Sequence, residues 1–274
     1  MALKIVGTGP GRIDEMTARA GRAIKEADVI VGYTLYNELL QKEFPDKEYY
    51  ATPMRQETER CRYALEKAAQ GAETVLVCSG DSGVYGMASL VFELAEQMYG
   101  SSGREVCGRP DDNGNEICPE IEVIPGITAA LSGGARLGSP LSNDFAVVSL
   151  SDLLTPWDVI EKRLSGAVDG DFVIALYNPG SKKRREHLKK ACDTVMERRS
   201  AETPCGIVHN IGRDGEHVDI MTLGELRDVQ ADMFMTVFIG NSKTRVIGGR
   251  LVTPRGYVEN GRTTGRKNKA ADIK

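Results

Sequence analysis

No apolar run in this chain approaches the ~20 residues needed to cross a bilayer, and residues 1–6 are too short for the apolar segment of a secretory signal. These absences lead us to expect a cytoplasmic protein with no membrane contact. No two of the six cysteines (Cys61, Cys78, Cys107, Cys118, Cys192 and Cys205) are spaced C-x-x-C. That spacing suggests neither a zinc ribbon nor a thioredoxin-type redox site. A strong charge imbalance is missing too. The formal net charge of −4 argues against a general nucleic-acid binder. There is no internal repeat or low-complexity tract. What remains is a chain of 274 residues, 41% apolar, long enough for two ordinary hydrophobic cores.

Strand-like and helix-like segments alternate along it. The pattern predicts strands at 3–7, 29–32, 74–78 and 121–124, with helices over 14–26, 57–70, 84–98 and 128–137. Such alternation implies a parallel sheet covered by helices. The turn-rich segment LGSPLSNDF, 137–145, reads as a domain junction. After it the spacing predicts strands near 145–149, 171–176, 205–209, 217–221 and 235–240, and helices over 156–164 and 182–199. With more strands per helix, this half suggests a mixed sheet. The expected organisation is an α/β domain over 1–140, a second α/β domain over 141–257, and a polar tail over 258–274.

The first strand runs into Gly7-Thr8-Gly9-Pro10-Gly11. A dinucleotide turn, G-x-G-x-x-G, would need its third glycine at position 12, where Arg12 stands. Pro10 has no N–H to offer a phosphate. Asp28 precedes the second strand and could not reach a ribose beyond that strand's carboxyl end. A nicotinamide oxidoreductase is therefore disfavoured. Four further turns follow apolar strands: VLVCSGDSGVYGM (75–87), VIPGITAA (123–130), IALYNPGSKKRR (174–185) and GIVHNIGRDG (206–215). In open parallel sheets, ligands bind beyond the carboxyl ends of the strands. Five turns at such ends point to a built site. Glycine content alone would not, since tight strand-to-helix turns use glycine without any ligand.

The identities and order of these turns, together with FAVVSLSDLLTPWDVIEKRL, TVFIGNSKT, VTPRGY, VGYTLYNELL and MRQETERCRYALE, resemble the tetrapyrrole (corrin/porphyrin) methylases. Within that family they look most like enzymes that methylate carbon 17 of precorrin-3B or cobalt-factor III. The resemblance runs from about residue 3 to 257. GTGPG and the turn at 79–86 are generic to the family, whereas SLSDLLTPW and ALYNPGSKKR match the narrower group. It implies a two-domain α/β fold with a mostly parallel N-terminal sheet, a mixed C-terminal sheet and an active-site cleft between them. It further implies S-adenosylmethionine as methyl donor, S-adenosylhomocysteine as product, no metal, a homodimer, and a role in cobalamin biosynthesis. A sister methyltransferase acting at another ring carbon and a non-catalytic tetrapyrrole carrier are the competing readings.

On that resemblance Pro10 faces the tetrapyrrole side of the cleft and counts among the donor-site positions. The other donor positions are Ser79, Gly80, Asp81, Val84, Thr128, Ala129, Tyr177, Asn210 and Gly212. Asp81 and Thr128 could equally be helix caps. Ser82 replaces the proline of the family's usual Gly-Asp-Pro, and His209 stands where arginine is expected. The acceptor's acetate and propionate arms require cations. The candidates are Arg12, Arg55, Lys182, Lys183 and Arg184, with Arg60 and Arg213 beside them. A basic first turn over 182–185 would oppose the dipole of a helix starting there. Ring contraction must move protons, and His209, Tyr33 and Asp144, with Tyr36 and Asp152, are the candidate carriers. Cys107 and Cys118 flank a turn at 112–114. They read as reduced thiols, with a disulfide or a metal or cluster pair as alternatives.

Overall fold

The computed structural model describes residues 2–100, 119–181 and 183–257. Cys107, Cys118, the turn at 112–114, Lys182 and the tail from 258 lie outside the described residues. The chain forms two compact units, Met1–Ser132 with Asn210–Glu216, and Gly133–His209 with His217–Lys274. No helix among the described residues is long and apolar enough to cross a membrane.

The first unit is built on β1 (Ala2–Gly7), β2 (Val29–Tyr33), β3 (Glu48–Thr52), β4 (Thr74–Cys78) and β5 (Glu120–Ile124), all parallel, in the order β3-β2-β4-β1-β5. α1 (Ala18–Glu26) and α2 (Thr34–Gln41) pack on one face, where Ala20, Ala23, Ile24 and Leu40 meet Val6, Ile30, Val75 and Val77. α3 (Glu57–Ala69) and α4 (Ala88–Tyr99) cover the other, where Cys61, Leu65, Val91 and Leu94 meet Leu3, Ile5, Val31 and Leu76. Both faces are covered, so these strands read as nearly unbroken apolar runs. The chain leaves β1 toward β2 and leaves β4 toward β5, so the strand order reverses between the adjacent β1 and β4. That reversal is where open α/β sheets place ligands.

α5 (Ala129–Leu137) carries the chain across the division at Ser132. The second unit contains β6 (Gly138–Ser139), β7 (Phe145–Ser149), α6 (Trp157–Asp169), β8 (Val173–Tyr177), α7 (His187–Met196), β9 (Pro204–His209), β10 (His217–Thr222), α8 (Leu223–Arg227), β11 (Met235–Ile239), β12 (Arg245–Ile247) and β13 (Arg250–Val252). Its main sheet has the order β10-β9-β11-β8-β7 and is mixed, because only β7 and β8 are parallel. β12, β13 and β6 form a small second sheet. α6, α7 and α8 bury Ile160, Leu164, Leu188, Val195 and Leu226 against one face of the main sheet. Gly206 is required within β9, because a Cβ there would sit 2.3 Å from the Leu137 side chain.

The α/β class, the parallel first sheet and the mixed second sheet follow the sequence pattern. Three helix starts differ from it. α1 begins after a 3-10 turn at Ile13–Glu15, because the Thr17 hydroxyl caps it by accepting from Ala20 N–H at 3.1 Å. α4 starts at Ala88, not 84, because Tyr85 adopts a left-handed φ of 54°. α7 starts at His187, so the basic run at 183–185 precedes the helix and is not its first turn.

Cys61, Cys78, Cys192 and Cys205 are buried free thiols. Burial pushes Cys61 and Cys192 up to about 12, Cys78 up to about 11, and Cys205 higher as well. Only the thiolate reacts readily. Native protein treated with iodoacetamide at neutral pH should therefore keep these four thiols unmodified, and all four should label after unfolding. Peptide mass mapping checks this, and rapid native labelling of any of the four contradicts it.

Candidate functional site

At the strand-order reversal the turns after β1, β4 and β5 meet backbone to backbone. Gly9 and Gly80 exchange two hydrogen bonds, Gly9 N–H to Gly80 O at 3.0 Å and Gly80 N–H to Gly9 O at 2.7 Å. Thr8 donates to Cys78 O through its N–H at 2.8 Å and its hydroxyl at 3.1 Å. A Cβ on Gly126 would lie 2.1 Å from Gly80 O, and one on Gly7 would lie 2.6 Å from Gly126 N. Asp81 locks the arrangement. Its Oδ1 accepts from Gly83 N–H at 2.8 Å and its Oδ2 from Gly126 N–H at 2.9 Å. The carboxylate thus braces two turns and is not the cap of α4, whose N-cap is Met87. Each carboxylate oxygen retains capacity for a further donor. Ser79, Gly80, Asp81, Val84, Thr128 and Ala129 are gathered here, and Ser79, Asp81, Val84, Thr128 and Ala129 are partly exposed.

Beside these turns the first unit holds a cavity of about 530 Å³. Thr8, Gly11, Arg12, Ser79, Tyr36 and Arg213 are among its walls. Ile13, Met16, Leu39 and Leu40 give it an apolar side, and Lys42 adds a cation. Arg213 arrives from the short segment Asn210–Glu216, which belongs to this unit. Its Nη2 donates to Ser79 Oγ at 3.5 Å and its guanidinium lies 5.7 Å from the centre of the Tyr36 ring. Gly11 makes that approach possible, because a Cβ there would lie 2.8 Å from the Gly212 carbonyl, and Gly212 itself turns with φ +68°. Gly212 N–H also donates to Glu216 Oε2 at 2.6 Å. Arg12 forms a two-pronged bond to Asp14, at 3.0 and 3.1 Å, which raises its pKa. Pro10 is buried in the turn beneath.

The other first-unit candidates lie at the carboxyl ends of β2 and β3 or on α3, which follows β3. Tyr33 packs edge-on against Tyr36, with ring centres 5.3 Å apart. Arg60 is 3% exposed and serves the fold. It donates to Thr52 Oγ1 (2.9 Å), Thr52 O (3.2 Å), Pro53 O (3.1 Å) and Met87 Sδ (3.4 Å). It holds the loop at 52–55, where Arg55 is exposed with φ 74° and its N–H donates to Glu57 Oε1 at 3.1 Å.

In the second unit the two motifs of the narrower resemblance, SLSDLLTPW and ALYNPGSKKR, join at the carboxyl ends of β7 and β8. Tyr177 pairs with Ser149 across the two strands. Asn178, φ 53°, donates to Ser149 Oγ at 2.9 Å. Arg184 Nη1 donates to Ser151 Oγ at 2.8 Å and lies 3.9 Å from Asp152 Oδ1. His187 Nε2 lies 3.0 Å from Asp152 Oδ2, and this contact holds the Asp152 carboxyl below its ordinary pKa. The His187 ring stands edge-on to Trp157 at 5.0 Å. Of the basic run, Arg184 turns inward while Lys183 stays exposed. Asp144 is not part of this group. It lies at the amino end of β7, where its carbonyl accepts from Val173 N–H at 3.2 Å.

His209 ends β9 and stacks on His217, with ring centres 4.0 Å apart and planes 14° apart. Its Nε2 lies 3.5 Å from Asp219 Oδ2. Burial first, and then His217, lower its pKa, outweighing Asp219 and Asp232, so the neutral imidazole is favoured. Sequence reasoning overlooked Ser149, Ser151, Asn178, His187, His217 and Asp219. The alternation in HVDIMT, 217–222, places His217 and Asp219 on one face, but only the β9–β10 register shows that His209 faces them.

Replacing Asp81 with alanine removes the acceptor for two backbone N–H groups. It should lower stability by about 1–3 kcal/mol, measured by denaturant unfolding. Asp81→Asn keeps one acceptor oxygen and should lose less. Unchanged stability in both variants would refute the bracing role.

Three comparisons place the chain among known proteins. The family model described as Tetrapyrrole (Corrin/Porphyrin) Methylases matches residues 2–227. A Salmonella typhimurium protein named "Probable cobalt-factor III C(17)-methyltransferase" is 41% identical over 255 residues, 93% of this chain and 99% of the relative. The "Cobalamin biosynthesis protein CbiHC" of Archaeoglobus fulgidus is 42% identical over 268 residues, 98% of this chain. The chain spans about half, 55%, of that relative's length. The solved structure titled "Crystal structure of the methyltransferase CobJ" superposes with a TM-score of 0.79 at 34% identity, covering 92% of this chain and 99% of that one. The chain belongs to the tetrapyrrole (corrin/porphyrin) methylases.

Proposed function

We propose that this chain methylates carbon 17 of precorrin-3B or cobalt-factor III, with S-adenosylmethionine as donor, in a step coupled to ring contraction in cobalamin biosynthesis. The observation that carries this reading is the 41% identity, nearly end to end, with the Salmonella typhimurium relative named for that reaction. The 530 Å³ cavity suits such an acceptor. Its apolar residues fit a flat ring, and Arg213 and Lys42 supply cations for carboxylate arms, while Arg12 is held by Asp14. The Tyr36 ring holds the Arg213 guanidinium at the wall, so less side-chain freedom is lost when an arm binds.

The groups at the three turns fit the donor. The Ser79 and Thr128 hydroxyls and the remaining lone pairs of Asp81 suit an ammonium group and ribose hydroxyls. S-adenosylmethionine supplies the methyl group as a sulfonium and departs as S-adenosylhomocysteine, a neutral thioether. The protein's main task in that step is alignment, which the rigid turns provide. Contraction of the ring also needs proton transfer, and Tyr33 and Tyr36, whose rings meet edge-on at the cavity, are the groups we assign to it. We expect the functional assembly to be a homodimer in the cytoplasm.

Purified full-length chain incubated with the donor and precorrin-3B or cobalt-factor III should yield a product heavier by one methyl group, located at C-17 by NMR. A methyl group on another carbon identifies a sister enzyme. No transfer to either acceptor by folded protein refutes the reading. Arg213→Gln should raise the tetrapyrrole KM, because removing one charged hydrogen-bond donor costs about 1.5–3 kcal/mol. Its affinity for S-adenosylhomocysteine, read by calorimetry, should stay near wild type. An unchanged KM would remove Arg213 from the acceptor site.

A further inference from the structure

We propose that His209, His217 and Asp219 form a binding site for one divalent transition-metal ion at the loop end of the β9–β10 hairpin. His209 and His217 are directly paired across the two antiparallel strands, and Asp219 lies two residues along from His217 on the same face. One ring nitrogen from each histidine and one carboxylate oxygen of Asp219 all lie within 4.8 Å of one another. The two nitrogen-to-oxygen separations are 3.5 and 3.7 Å. Ligands 2.0–2.2 Å from a tetrahedral ion stand roughly 3.3–3.6 Å apart. The three donors therefore need to close by only a few tenths of an ångström along these edges. The stacked rings must also turn so that their lone pairs converge. The His217 side chain, 55% exposed, has room to do so, and His209, 15% exposed, forms the inner wall.

The donor set indicates the class of ion. Two imidazoles and one carboxylate suit zinc, cobalt(II) or nickel, and disfavour magnesium and calcium, which take oxygen ligands. Three protein ligands leave a fourth position for water. The two histidines lie at either end of the loop 210–216, which carries Gly212 and Arg213. An ion bound to both rings ties the ends of that loop together. No other group of three such ligands comes this close among the described residues.

The test uses full-length protein stripped by chelator and then titrated, with Zn²⁺ followed by calorimetry and Co²⁺ by its visible absorption. One ion should bind per chain, the cobalt spectrum should be that of a four- or five-coordinate ion, and the melting temperature should rise. His217→Ala, at an exposed position, should weaken binding at least 10-fold, the lower end of the range for disturbing a metal's ligand shell. Asp219→Asn should weaken it less. A Cys107→Ser/Cys118→Ser variant should bind as wild type does. Absence of binding to the stripped wild-type protein overturns the proposal. So does binding that survives His217→Ala and Asp219→Asn, or that is lost in the cysteine variant alone. Circular dichroism confirms that each variant is folded. Because the readout is metal binding, failure here leaves the methyl-transfer reading standing, and failure of methyl transfer leaves the metal site standing.

Discussion

The turns after β1, β4 and β5 touch through their backbones, and the contact leaves no room for a side chain at Gly7 or Gly126. Gly7, Gly80 and Gly126 occupy the junction. A methyl group on Gly126 would lie 2.1 Å from Gly80 O and one on Gly7 2.6 Å from Gly126 N, both well inside ordinary contact. The contact fixes where β1 and β4 end relative to each other, and therefore where the strand-order reversal opens. Asp81 completes it by accepting one N–H from its own turn and one from the β5 turn. The neighbouring positions, Thr8, Ser79 and Thr128, are presented from a frame with little freedom. Methyl transfer depends on such a frame, because alignment of donor and acceptor supplies much of the rate.

A second constraint acts on the short segment 210–216. Gly11 and Gly212 face each other closely enough that neither tolerates a side chain without displacement. Glu216 closes the segment by accepting from Gly212 N–H. Arg213 is thereby carried to Ser79 and Tyr36. In the second unit a polar network does comparable work. Arg184, Ser151, Asp152 and His187 connect the loops after β7 and β8, while Trp157 and the α6–α7 core support them from below. Each set relies on a few residues with left-handed backbone (Gly80, Asn178 and Gly212) to turn a strand end sharply toward its partners.

Much of the fold was legible in the chain alone. Apolar runs of strand length separated by helical periodicity define parallel layers, since both faces of such strands must be buried. The order and wording of the glycine turns carried the family. Residues such as Ser79, Asp81 and Arg213 were recognisable because they sit inside those turns. α2 and β3 were not foreseen. Their sequence, TLYNELLQ followed by EYYAT, mixes polar and aromatic residues with weak periodicity, and packing against Val31, Ala20 and Ile24 settles their conformation.

Local chemistry therefore determined which segments become strands, where the chain must turn, and which family the turns belong to. Those properties depend on neighbours a few residues apart, and the sequence displays them directly. Tertiary structure decided what the polar groups touch. Asp81 reaches Gly126 across 45 positions, Arg213 reaches Ser79 across 134, and Arg60 is drawn inward to the carbonyls of Thr52 and Pro53. His209 meets Asp219 only because the β9–β10 register sets His217 opposite it. Hydrogen bonds and ion pairs act over about 3–4 Å, and only the completed packing within each unit determines which residues come that close.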